Sequence, residues 1–115
     1  MVAFTIIINE APIAKERAFT ALRFATTCLI EGHKVNLFLI ENGVYLAKKG
    51  QKPSDSPNLI GYLEELIKEK VEVKACVVCC QGRGLSENDL IPGVKISSLN
   101  ELVDWTATTD KTIVF

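Results

Sequence analysis

The sequence predicts an α/β domain in which five strands form a mostly parallel sheet and helices connect them. Two observations carry this. Short, nearly continuous apolar runs rich in β-branched residues recur along the chain, as strands covered on both faces require. Between them the apolar residues change to intervals of three and four, the period of an amphipathic helix. The alternation β-α-β-α-β-α-β-α-β proceeds without a linker, internal repeat or low-complexity tract. The 115 residues therefore read as one domain spanning 1–115.

Taken in order, Ala3 to Ile8 is the first strand, ended by Asn9 and Pro12. From Ala14 to Glu31, the residues Ala18, Leu22, Ala25 and Leu29 form a helical stripe that Gly32 closes. Val35 to Ile40 is the second strand. A crossover of this length joins parallel strands and is right-handed. Asn42 to Lys49 predicts a short helix, and the turn formers of 50–57 a loop. Asn58 caps a helix whose stripe is Leu59, Ile60, Leu63, Leu66 and Ile67. Val71 to Val78 reads as the third strand, flowing into cysteines and Gln81-Gly82-Arg83-Gly84. Ser86 caps a turn of helix through Leu90. Val94 to Ile96 is the fourth strand, and Ser97 or Ser98 caps a helix carrying Leu99, Leu102, Val103 and Trp105. Lys111 to Phe115 is the fifth strand.

Composition excludes several classes. With 48% hydrophobic and 23% charged residues the chain can build a core, which excludes disorder. Thirteen basic against fourteen acidic residues leave no electrostatic footprint for direct nucleic-acid binding. The apolar runs fall far short of the ~20 residues a membrane-spanning helix needs. The N-terminus lacks the basic n-region and cleavage site of a signal peptide, so the expected compartment is the cytoplasm. Four cysteines in such a chain are expected as reduced thiols.

Three of those cysteines, Cys76, Cys79 and Cys80, crowd into five residues where the third strand ends. Ligands and chemistry collect beyond the carboxyl ends of parallel strands. Gly82 and Gly84 permit a tight turn there, and Arg83 places a cation four residues from Cys79, favouring thiolate. One reading is a nucleophilic Cys79. The other is packing, since free cysteine is among the most buried residue types. Packing is the expectation for Cys28, and a solvated turn for His33.

Cys76 and Cys79 also spell C-x-x-C. Zinc wants four ligands, and the chain has one histidine, so no metal is expected. Along a strand the two Cα atoms would stand about 10 Å apart with side chains on opposite faces. A disulfide needs them within about 7 Å, so pairing requires the chain to curl at Val78. No phosphate-loop or dinucleotide motif is present, and no cofactor is expected.

Five segments, Asn9-Glu10-Ala11-Pro12, Gly50-Gln51-Lys52-Pro53, Cys76 through Ser86, Leu90 through Val94, and Glu101 through Trp105 with Asp110-Lys111, follow a familiar order. Through them the chain resembles the DsrE/DsrF-like superfamily, and within it the YchN-like group, essentially from end to end. Their order and spacing make the match specific. The resemblance implies a three-layer α/β/α fold with a five-stranded parallel sheet, assembled as trimers or hexamers. Members of the wider superfamily carry sulfur between donor and acceptor proteins as a cysteine persulfide. The family's cysteine matches Cys79, followed by Arg83-Gly84. The Gly50-to-Pro53 loop, with Gln51 and Lys52, matches a motif expected near that cysteine, across a subunit boundary. Cys76 and Cys80 stand as supporting or resolving thiols.

The expectation is therefore a sulfur carrier, sulfurtransferase-like, with Cys79 as acceptor and Gly82, Arg83 and Gly84 stabilising its anion. Two rival readings remain at this level. One is a non-catalytic module holding a small anion or nucleotide at the rim. The other is a thiol redox sensor.

Overall fold

The computed structural model describes residues 1–54 and 58–115. The strands are β1 (Ala3–Ile8), β2 (Lys34–Leu39), β3 (Glu72–Cys76), β4 (Val94–Ser97) and β5 (Lys111–Val114). The helices are α1 (Arg17–Ile30), α2 (Leu59–Lys68), α3 (Val77–Gly82) and α4 (Leu99–Thr108). Two 3-10 segments, Glu41–Ala47 and Glu87–Asp89, complete the set. The sheet order is β4-β3-β2-β1-β5, and every pairing is parallel. The sequence predicts a mostly parallel sheet; the structure makes it wholly so. In the loop expected over 50–57, residues 55–57 lie outside the described residues.

Side-chain alternation divides the sheet into two faces. Ile6, Ile8, Val35, Leu37, Leu39, Val73 and Ala75 point to one side. There they pack with Ala18, Ala21, Leu22 and Ala25 of α1 and with Leu59, Leu63 and Leu66 of α2. Thr5 and Phe38 point to the other side, where α4 lies. Trp105 of α4 stands edge-on to Phe38, with ring centroids 5.9 Å apart, and Thr5 donates to the Trp105 carbonyl at 3.3 Å. The layers are thus α1 and α2, sheet, and α4. Cys28 is buried in the α1 side of the core, and that burial pushes its thiol up. Among the described residues, no helix is long and apolar enough to cross a membrane.

Boundaries shift where local chemistry competes. The first helix begins at Arg17 rather than Ala14, because turns occupy 12–14 after the Pro12 stop. Gly32 closes it at φ +87°, as expected. Asn58 caps α2, its side chain accepting from the Gly61 N–H. Ser86 and Asp89 form a reciprocal capping box. Ser98 occupies the α4 cap without a side-chain hydrogen bond, while the Ser97 hydroxyl donates to Glu101. His33 is a half-buried tie, not a solvated turn: its Nδ1 accepts from the Val2 N–H at 3.0 Å and its ring meets Phe4 edge-on.

The largest departure concerns the third strand, expected to reach Val78 and found to end at Cys76. Its partners explain the stop. The β2 pairing ends at Leu39 opposite Ala75, and the β4 pairing ends at Ser97 opposite Cys76. Beyond that point an extended chain would have no ladder on either side. A turn of helix gives its buried N–H and C=O groups partners instead.

Candidate active site: a cysteine pair on a helical turn

The site is built where β3 becomes α3. Cys76 is the residue that caps α3, and its Sγ accepts a hydrogen bond from the Cys79 N–H at 3.3 Å. The chain curls one residue earlier than pairing would have required, at Val77. Cys76 and Cys79 therefore lie on one helical turn rather than on opposite faces of a strand. Helix geometry puts Cα atoms three residues apart at about 5 Å, not the ~10 Å of an extended chain. Cys80, one position on, turns into the hydrophobic core and is fully buried.

The three thiols differ in access. Cys76 is 4% exposed and Cys80 is closed off, while Cys79 is half-buried. Val78, immediately before it, is 70% exposed. Cys79 is thus the thiol of the cluster that a molecule from solvent can reach.

Opposite Cys79 runs the Glu41–Ala47 segment, entered directly from the end of β2. Glu41 has φ +51°, a left-handed conformation that costs energy in a non-glycine residue. Its N–H lies close enough to the Cys79 sulfur to favour the thiolate. Gly43 lets this segment pack against the end of β1, because a Cβ there would stand 2.1 Å from the Ile8 carbonyl oxygen. Arg83 spans the gap: Nη1 donates to the Cys79 carbonyl at 3.1 Å, while Nε and Nη2 donate to Asn42 Oδ1 at 3.1 and 3.0 Å.

These contacts set the electrostatics. Burial, then the hydrogen bond with the Cys76 thiol, pushes the Cys79 thiol up; the Glu41 N–H and the Arg83 guanidinium pull it down by less. Burial likewise raises Cys80. The resting Cys79 is a thiol, with an N–H donor and a cation already in place for its anion.

Of the residues singled out in the sequence, Cys76, Cys79, Cys80 and Arg83 come together here. Gly84 takes φ +68° just beyond the helix, whereas Gly82 ends α3 facing open space. Gln51 does not join them through any hydrogen bond among the described residues: its amide donates to the Tyr45 and Lys48 carbonyls. Lys52 is exposed. Glu41 and Asn42 were not legible as site residues. The usable signal was positional, since Ile40-Glu41-Asn42-Gly43 leaves the carboxyl end of a strand neighbouring β3.

Comparison with known proteins agrees with the resemblance seen in the sequence. Residues 2–115 match the DsrE/DsrF-like family. An uncharacterized protein of Methanopyrus kandleri, MK0008, is 51% identical over 111 residues, covering 96% of this chain and 92% of that one. YchN of Escherichia coli is 38% identical with full coverage of both chains, and its crystal structure superposes with a TM-score of 0.93. The sulfurtransferase TusD of Cronobacter sakazakii is 29% identical over 126 residues, covering 97% of this chain and 98% of that protein. With its five parallel strands in the YchN arrangement, and a match along nearly its whole length, the chain belongs to the DsrE/DsrF-like family.

Proposed function

We propose that this protein is a sulfur carrier that takes up sulfur on Cys79 as a persulfide and hands it to an acceptor protein. The observation that carries this is the accessibility of one thiol at the carboxyl rim, facing the Glu41 N–H, with the exposed Val78 beside it as an apolar contact for a partner. The relationship to a sulfurtransferase supports the same chemistry. In the loading step the Cys79 thiolate attacks the terminal sulfur of a donor persulfide. A new S–S bond forms on Cys79, the donor's S–S bond breaks, and the donor leaves as thiolate. The Glu41 N–H offers hydrogen-bond stabilisation to the anion at Cys79 without reorganisation.

The anion-module reading has less support, because the Arg83 guanidinium already spends donors on Asn42 and the Cys79 carbonyl. The test of the carrier reading is intact mass after incubation with a persulfide donor. The parent should gain sulfur and Cys79→Ser should not. Equal uptake by both would overturn the assignment.

The carrier works as a homo-oligomer, a trimer or hexamer, in this proposal. Helix α4 buries none of its residues, and Leu99, Val103 and the β5 residue Val114 are 57%, 63% and 59% exposed. Covering such side chains stabilises by roughly 1.5–3 kcal/mol each when burial is complete. Light scattering should give a multiple of the chain mass that Val103→Glu reduces; a monomeric parent would exclude it.

A further inference from the structure

We propose that Cys76 is the resolving thiol of this site: it discharges a persulfide on Cys79 by closing a Cys76–Cys79 disulfide. The inference rests on the carrier reading above and adds a second catalytic residue to it.

The geometry separates Cys76 from its rival Cys80. Cys76 Sγ is 3.3 Å from the Cys79 nitrogen, at the cap of the same helical turn. A helical turn spaces the two Cα atoms at about 5 Å, inside the roughly 4.4–6.8 Å range over which disulfides close. Adjacent residues on a helix do not face each other, and the Cys80 side chain is packed into the core. At 4% exposure Cys76 is a poor entry point for an outside donor. It is placed to react only with what Cys79 already carries.

The step balances without an external oxidant. The Cys76 thiol and the Cys79 persulfide give a Cys76–Cys79 disulfide and one molecule of hydrogen sulfide. The Cys76 sulfur attacks the inner sulfur of the persulfide and forms the new S–S bond. The bond from the Cys79 sulfur to the outer sulfur breaks, and that outer sulfur leaves as hydrosulfide carrying the Cys76 proton. The outer sulfur is reduced to sulfide as the Cys76 sulfur is oxidised from thiol to disulfide, and the Cys79 sulfur keeps its oxidation level. A cellular dithiol, the reductant class that opens protein disulfides, returns the pair to thiols by exchange. With an acceptor docked, Cys79 passes on its sulfane sulfur; with none, Cys76 discharges the persulfide as sulfide and the site is left oxidised until reduced.

The full chain is loaded with sodium polysulfide under anaerobic conditions, desalted, and followed by intact mass, released sulfide and peptide mapping. The parent should lose its extra sulfur as sulfide with one Cys76–Cys79 disulfide formed, and Cys80→Ala should behave likewise. Cys76→Ser keeps an oxygen acceptor at a favoured cap position, so the helix is retained. It should hold the persulfide at least about tenfold longer, since a positioned neighbouring thiol has effective concentrations far above that margin. Equal lifetimes in the parent and Cys76→Ser, or a disulfide mapped to Cys80, would overturn the inference while leaving the carrier reading intact. No sulfur uptake by Cys76→Ser, with neither sulfide release nor disulfide in the parent, would overturn both.

Discussion

Cys79 sits between opposing influences, and their balance makes its chemistry testable. Burial and the neighbouring Cys76 thiol outweigh the Glu41 N–H and Arg83, so its pKa lies above the ordinary thiol value of 9.0. Cys79 should alkylate fastest of the four thiols because it is the most accessible, yet its rate should still be rising at pH 9. A plateau below pH 8, read site by site by mass spectrometry, would contradict this balance. Arg83 lowers the pKa through its charge, so Arg83→Ala should move the profile to higher pH. A shift to lower pH would show that the guanidinium acts otherwise. Arg83 lies near Cys79 as their spacing in the sequence implies. That Asn42 takes two of the guanidinium donors is not legible there, because the contact spans 41 residues.

At the scale of elements, the site depends on two segments leaving neighbouring strands and meeting beyond the sheet. The Glu41–Ala47 segment packs down only because position 43 lacks a side chain. Gly43→Ala should destabilise by about 1–3 kcal/mol, the usual range for overpacking, since the obstacle is backbone at 2.1 Å. Gly82→Ala has open space around it and is the matching control; urea titration of the pair measures both. Asn58→Ala, which removes the α2 cap, should cost about 1 kcal/mol by the same assay. Strands and long helices were legible because apolar period reports burial. Helix α3 was not: Val77 and Val78 are β-branched, and their local preference is for strand. What ended β3 was the end of its neighbours, which only the assembled sheet contains.

Across the whole molecule, α4 is held to the sheet by few contacts. Trp105 packs on Phe38, and Lys74 lies 4.6 Å from the Trp105 ring centre while pairing with Glu101 at 2.7 Å. Lys74, then the Ser97 hydroxyl, holds Glu101 below its usual range, and the Ser86 N–H and hydroxyl do the same for Asp89. Both carboxyls bind protons more weakly folded than unfolded. Their stabilising effect is therefore present above the ordinary values of 4.5 and 3.8 and is lost as pH falls through the lower folded ones. Thermal melting temperature should fall with pH below about 4.5. Glu101→Gln should flatten part of that slope, and an unchanged slope would remove Glu101 from the account.

By itself the sequence determined the α/β alternation, the helix caps and the crowding of three thiols at one strand's end. Those features are local: apolar period, turn residues and chain neighbours do not need the rest of the molecule. The tertiary structure decided that Cys76 and Cys79 share a helical turn, that Glu41 and Asn42 complete the site, and that Gln51 ties back onto its own segment instead. The first two depend on where neighbouring strands end. Sequence period reports which side of an element is buried, but not what lies across the gap when that element ends.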